Sequence, residues 1–373
     1  MDLRTQEKLV EVVKLGNEGR FGEAEIITRS LLRRDRELKP AYDLHFRLKR
    51  RRHEELRKKL VTNHGPGIEF LPRRLTFMAM GTTGLCNASC MHCPTGKTTT
   101  EQVPRIPMSM PMFESIIRQI DELGLILFGQ ISFGLFGDAL LDPHVLRRVQ
   151  FVRETLPEAS ISVNTNGAAY DRARHGALAE EQIILALHCE SLKPDVYNTL
   201  MQPLLLHRVL PKMEQIIVDF GSKVLVSVPV TRLNQNELPG ISEFFRSRGV
   251  GDLGFDIFSA RCAEDRTVFD TLSLSTMKNR CGPDVHEQLI VDCDGKVLIC
   301  CNDFQRLEVI GDLSSQNLLQ VLLHPDRRRM VEQFSSNREN ERRSCQKCFC
   351  DQKIPGVHGR ASALEKGQVS AAN

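Results

Sequence analysis

The chain has 373 residues, 41% of them hydrophobic, enough for one large domain with appendages or two to three smaller ones. Its formal net charge of +3 is too small at this size to mark a nucleic-acid binder. No stretch approaches the roughly 20 apolar residues that span a bilayer, and MDLRTQEKLVEVV lacks the apolar core of a signal peptide, so a cytoplasmic protein with no membrane partner is expected.

Residues 5 to 60 are charged and helix-prone. LVEVVKLGNEGRFGEAEIITRSLLRRDRELKPAYDL reads as two amphipathic helices with a turn at Gly16 to Phe21, similar to one tetratricopeptide-like pair. A single pair closes no solenoid, so docking on the main domain is expected. The basic run FRLKRRRHEELRKKL is compatible with phosphates or an acidic partner, but its interspersed glutamates and leucine spacing fit a solvated helix face or linker.

From residue 74 the pattern changes. RLTFMAMGTT, GQISFGLFG, ASISVNTNG, EQIILALHC, KVLVSVPVT and GDLGFDIFS read as six strands with helices between them. Such alternation predicts an α/β fold built on parallel βα units, too few for an eight-stranded barrel, with the chemistry at the carboxyl ends of the strands.

Twelve cysteines fit metal or redox chemistry better than a disulfide framework in a reducing compartment. The first strand runs into GTTGLCNASCMHCPTGK, which carries Cys86, Cys90 and Cys93 as CxxxCxxC. Three neighbouring thiolates can each take one iron of a cubane and leave the fourth iron open to a ligand, whereas a structural zinc normally takes four.

This loop resembles the signature of the radical S-adenosylmethionine (SAM) superfamily. The resemblance implies a partial (βα)6 barrel, a [4Fe–4S] cluster, and SAM chelating the open iron. His92 stands where the family usually has another aromatic ring. FGLFGDALLDP resembles the family's GGEP-like turn, with Phe136, Gly137, Asp138 and Ala139 in the four places that bind the SAM amino group. Asn164, in SVNTNG, is similar to a rim residue of the cavity, and His188 and Glu190, in ALHCES, to residues that meet SAM or substrate. Asn234, with Glu237 and Leu238, resembles the stretch after the fifth strand; helix capping is its alternative role. After the sixth strand, Arg261 and Cys262 are expected on the cavity side, Cys262 either as a packed residue or as a catalytic hydrogen donor.

The later cysteines form a second set. IVDC and KVLICC, around Asp294 and Gly295, read as a β-hairpin, flanked by Cys281 and by SCQKCFC. The layout resembles the SPASM or shortened twitch domain of radical SAM enzymes, and implies an auxiliary [4Fe–4S] cluster on Cys281, Cys300, Cys345 and Cys348, with Cys301 or Cys350 able to replace one. Zinc is the alternative occupant. Cys189 and Cys293 match no ligand position.

The expected organisation is a helical extension over 1–73, the barrel over 74–262, a small α+β auxiliary-cluster domain over 263–352 and a polar tail over 353–373. The resemblance implies an oxidoreductase- or epimerase-type enzyme. In that reading a 5′-deoxyadenosyl radical takes hydrogen from a small polar, carbohydrate-like substrate, leading to oxidation, dehydration or epimerisation. A reducing partner such as flavodoxin or ferredoxin is expected, and nucleic acid is not. The alternatives are modification of a ribosomal peptide, or a non-catalytic iron–sulfur or zinc protein that binds nucleic acid or a partner.

Overall fold

The structure, a computed structural model, describes residues 1–64, 67–263, 265–279, 281 and 283–351. The expected polar tail, 353–373, lies outside the described residues. No helix among them is long and apolar enough to cross a membrane.

The N-terminal segment is three helices rather than two. Helix α1 (Leu3–Asn17) meets α2 (Phe21–Arg34) at a turn whose Gly19 has φ 76°, and the basic run becomes one long helix, α3 (Lys39–His64). Helix α3 is not solvated all round. Its Lys49 and His45 reach the buried carboxylate of Glu158, and the ring of His53 bonds the Leu123 carbonyl at 2.7 Å. Arg29 and Arg52 share Glu25 and Asp121, joining the helices to the main body. The positive charge legible in the sequence thus partly serves docking.

The main body alternates as predicted: β1 (Arg74–Met80), α4 (Met110–Glu122), β2 (Ile126–Phe133), α5 (Val145–Thr155), β3 (Ser160–Thr165), α6 (Arg172–His175), β4 (Ile184–His188), α7 (Pro194–Leu200), α8 (Leu206–Phe220), β5 (Val224–Pro229), α9 (Leu238–Arg246) and β6 (Asp252–Asp256). Strands β1 to β6 pair in chain order and in parallel, the partial (βα)6 barrel expected. The helices cover it with apolar stripes. Phe113, Ile116, Ile117 and Ile120 of α4, spaced at helical period, are all buried, and Ser109 caps the helix by accepting the Met112 N–H.

Then follow α10 (Thr267–Leu272), β7 (Thr276–Lys278), β8 (Gln288–Val291), β9 (Lys296–Leu298), β10 (Val309–Asp312), α11 (Leu318–Leu322), α12 (Pro325–Ser335), α13 (Arg343–Gln346) and β11 (Phe349–Asp351). The predicted hairpin is β8–β9, and Gly295, at φ 88°, supplies the left-handed residue its turn requires. Strand β8 pairs in parallel with β1, so the C-terminal strands extend the barrel sheet to nine in the order β10-β9-β8-β1-β2-β3-β4-β5-β6. The pair β7–β11 forms a separate small sheet.

Candidate active site and cysteine clusters

The loop after β1 is fastened on several sides. Ser89 and Met91 donate their N–H groups to the carbonyls of Gln202 (2.5 Å) and Leu200 (2.8 Å), and the Arg105 guanidinium holds the Cys86 carbonyl. Gly137 packs so closely that a Cβ there would lie 2.4 Å from the Thr83 carbonyl oxygen, and the next residue, Asp138, donates its N–H to Leu85 O at 2.8 Å. Only glycine fits. The loop is therefore fastened by contacts that do not pass through its three thiols.

Cys86, Cys90 and Cys93 are half-buried on this loop. Burial pushes the Cys86 thiol up to about 11. Burial, then the charges of Glu190, Cys93 and Cys86, push Cys90 well above its ordinary value. Bare thiolates at Cys86 and Cys90 are thus disfavoured, whereas a group that brings positive iron to soft sulfur donors satisfies them. In that respect the donor set fits an iron–sulfur cluster.

Beside the loop lie polar atoms with no partner. His92, 5% exposed, sits 3.8 Å from Glu190; burial, then Arg261, Lys97 and His188, lower its pKa to about 3, so its ring is neutral near pH 7. Burial pushes the Glu190 carboxyl up to about 7. His92 Nδ1, Glu190 Oε2 and Tyr197 Oη are buried without a hydrogen bond among the described residues. Tyr197, from α7, was not marked in the sequence, because a lone tyrosine on a helix reads as core. His188, half-buried at the end of β4, belongs to the same neighbourhood.

Other expected site residues are engaged within the protein. The Asp138 carboxylate accepts the Thr165 hydroxyl and the N–H groups of Asn166 and Leu140, so it braces two loops rather than facing outward. Asn164 donates to Ser132 and to the Phe133 carbonyl, which ties β3 to β2. Phe136 is buried edge-on against Phe304 (4.9 Å), and Ala139 is wholly buried. Asn166, in the same turn, reaches Asn87 of the cysteine loop at 2.8 Å. Asn234 donates to the carbonyls of Glu190 and Pro229 and accepts the Thr231 N–H, which sets the Glu190 backbone in place.

Arg261 and Cys262 part company. Both have left-handed backbone, φ 50° and 53°, a sharp turn for side-chain-bearing residues. The Arg261 guanidinium lies 4.7 Å over Phe304, within electrostatic reach of Cys90, His92 and Glu190, with no hydrogen-bond or ion-pair partner among the described residues. Cys262 is not on that side. It is 1% exposed and lines the same cavity as Cys300 and Cys348. The position expected to line the radical cavity belongs to the second cysteine set.

That set rings a cavity of about 200 Å³ lined by Cys262, Cys281, Cys300, Cys301, Cys345 and Cys348. The neighbouring Cys262, then Asn279 and Lys278, hold the Cys348 thiol down at about 7, whereas burial and Cys300 push Cys345 up to about 12. Cys350, on β11, does not line the cavity. Among the described residues no three His, Cys, Asp or Glu side chains converge on one point at single-ion distance; the thiols ring a space instead. Buried Cys189 and Cys293 bond backbone carbonyls elsewhere.

Residues 281–349 match the SPASM family, described as an iron–sulfur cluster-binding domain. The fold is similar to that of BtrN in complex with AdoMet and 2-DOIA (TM-score 0.53, 17% identity, 74% of this chain and 92% of that one). It is also similar to Streptococcus suis SuiB bound to precursor peptide SuiA (TM-score 0.56, 11% identity, 80% and 72%). In sequence the chain is 23% identical over 192 residues to the GTP 3′,8-cyclase of Nautilia profundicola, across 49% of this chain and 56% of that protein. It thus spans about half the length of that curated relative. The chain has the radical SAM fold with a C-terminal SPASM iron–sulfur cluster-binding domain. Its second cysteine set lies largely in that domain, with Cys262 joining from the end of the barrel.

Proposed function

We propose that the protein is a radical SAM enzyme acting on a small polar substrate, with Cys86, Cys90 and Cys93 holding a [4Fe–4S] cluster and an auxiliary [4Fe–4S] cluster in the SPASM domain. The observation that carries this reading is the group of polar atoms without a hydrogen bond on His92, Glu190 and Tyr197, with the Arg261 guanidinium stacked on Phe304 nearby, beside a three-cysteine loop at the carboxyl end of β1. When bound, the cluster and SAM supply one-electron cleavage to a 5′-deoxyadenosyl radical that takes a hydrogen atom from substrate.

The protein's own groups bind, orient and move protons. Arg261 offers a fixed donor fork to an oxygen-rich substrate. The neutral ring of His92 walls the site, and Glu190 Oε2 would accept a proton from a substrate hydroxyl or amine, the hydrogen atom going to the deoxyadenosyl radical and the remaining electron to the auxiliary cluster. A one-electron donor of flavodoxin or ferredoxin type fits this chemistry. The test is anaerobic incubation of the reconstituted, reduced protein with SAM and candidate carbohydrates, read by mass spectrometry for 5′-deoxyadenosine and product. Absence of 5′-deoxyadenosine under every condition rejects the reading.

Glu190→Gln should keep SAM cleavage but slow product formation by about 100-fold or more, and the wild-type product rate should climb as pH rises through about 7, where the carboxyl ionises. Cleavage falling in parallel with product would assign Glu190 to SAM instead.

For the auxiliary cluster, the place of Cys262 in the wall of the cavity that Cys300 and Cys348 also line supports a ligand role over a hydrogen-donor role. Reconstituted Cys262→Ala should therefore lose about four of about eight irons, while Cys350→Ala keeps them. Full iron in Cys262→Ala, measured by colorimetric iron assay, would return Cys262 to a packing role.

A further inference from the structure

The basic face of α3 is only partly used in docking. The rest borders a groove of about 1140 Å³ between α3 and the amino-terminal ends of β1 and β2, at the opposite end of the strands from the cysteine loop. Its floor is apolar. Phe46, Ile126, Val61 and Phe128 line it, and the last two are 56% and 39% exposed, high for side chains of this size.

The rim is positive after internal pairing. Arg50 pairs with Glu54 (3.2 Å) and Arg74 with Glu287 (2.8 Å), while Glu69 accepts the Gly67 N–H and Arg57 donates to the Leu71 carbonyl. Arg47, Lys58 and Arg73 remain exposed, with no hydrogen-bond or ion-pair partner among the described residues. Positive charge is felt nearby: burial lowers the pKa of His53 against its bond to the Leu123 carbonyl, and Arg57 and Arg73 push it further down. His53 is 2% exposed, lines the groove, and leaves its Nε2 without a partner.

We propose that this groove docks an acidic, amphipathic peptide segment of a partner protein. Its apolar side chains would cover Val61 and Phe128, and its carboxylates would meet Arg47, Lys58 and Arg73. The stretch of α3 from Phe46 to Val61 is about 22 Å long, the span of about seven extended residues or four helical turns. The apolar floor of Phe46, Val61, Ile126 and Phe128 suits apolar side chains better than a sugar–phosphate backbone, which has none to bury there. The occupant is therefore a peptide rather than a nucleic acid. This inference is independent of the chemistry at the other end of the barrel.

The test is fluorescence anisotropy with the cluster-loaded full-length protein and a fluorescein-labelled peptide of about 14 residues, Glu and Leu at helical spacing. Saturable binding that weakens with added salt is expected, falling at least about tenfold in the double variant Arg47→Glu, Lys58→Glu and likewise in Phe128→Asp. Unchanged far-UV circular dichroism and an unchanged denaturant-unfolding midpoint report that each variant is folded. If a variant fails to fold, Lys58→Ala with Arg73→Ala replaces it, both exposed, with the same expected direction. No saturable binding to the wild type, equal binding to the folded variants, or tighter binding of a single-stranded RNA of similar length through the same cations overturns the proposal.

Discussion

Cys90→Ala is expected to reduce SAM cleavage to background while leaving the fold intact. The loop that carries Cys90 is held by the backbone bonds of Ser89 and Met91 to Gln202 and Leu200 and by Arg105 on the Cys86 carbonyl. None of these passes through the Cys90 side chain, whose described contact is the thioether of Met201 at 3.5 Å. The substitution therefore removes one of three sulfur donors and little else, and a cubane left with two protein thiolates is not retained. Mass spectrometry for 5′-deoxyadenosine, with iron analysis showing about four atoms fewer, gives the readout. Cys189→Ala is the control, since its thiol bonds the local Ser191 carbonyl; it should cleave SAM normally. Cleavage that survives Cys90→Ala would sink the assignment of the first cluster.

The largest expected loss of stability comes from a residue remote from the cysteines. Glu158 is 1% exposed and receives Lys49 and His45 of α3. Burial pushes its carboxyl up, but the attraction of Lys49 and His45 and their hydrogen bonds outweigh that, holding it far below the usual carboxylate range. Glu158→Gln strands the buried ammonium of Lys49 and should cost about 3–5 kcal/mol, whereas Glu158→Leu with Lys49→Met, which removes both charges, should cost much less. Denaturant unfolding measures both. A carboxyl with depressed folded pKa stabilises fully above its unfolded value of about 4.5 and loses that contribution as pH falls below it. The wild-type helices should therefore become protease-sensitive on acidification from about pH 4.5 downward, and the double variant should lack that step. Equal losses in the single and double variants would mean that the pair is not what holds α3.

Much of the fold could be read from local pattern. The six strands are short β-prone runs, and the β8–β9 turn is announced by Asp294 and Gly295 in a hairpin context. The Cys86, Cys90 and Cys93 loop was legible because its three donors lie within eight residues and need no knowledge of the rest of the chain. The basic helix was harder. Its leucines and charges have helical period, but whether Lys49 meets water or Glu158, 109 residues away, is not a property of the segment.

By itself, then, the sequence determined the order of strands and helices, the parallel βα class and the existence of two cysteine sets. Each of these follows from backbone preferences and side-chain chemistry that act over a few neighbouring residues. Only the tertiary structure decided which polar groups are left for ligands. It turned Asp138 and Asn164 inward as braces, since each finds partners on a neighbouring strand or its end, and left His92 Nδ1, Glu190 Oε2 and Tyr197 Oη without a hydrogen bond. It also moved Cys262 from the barrel cavity to the second cysteine set, where Cys348, 86 residues further on, lies against it, and it joined β8 to the edge of β1. Such contacts arise when distant segments pack to bury apolar surface and satisfy polar atoms together, and no local pattern encodes which partner a buried group will find.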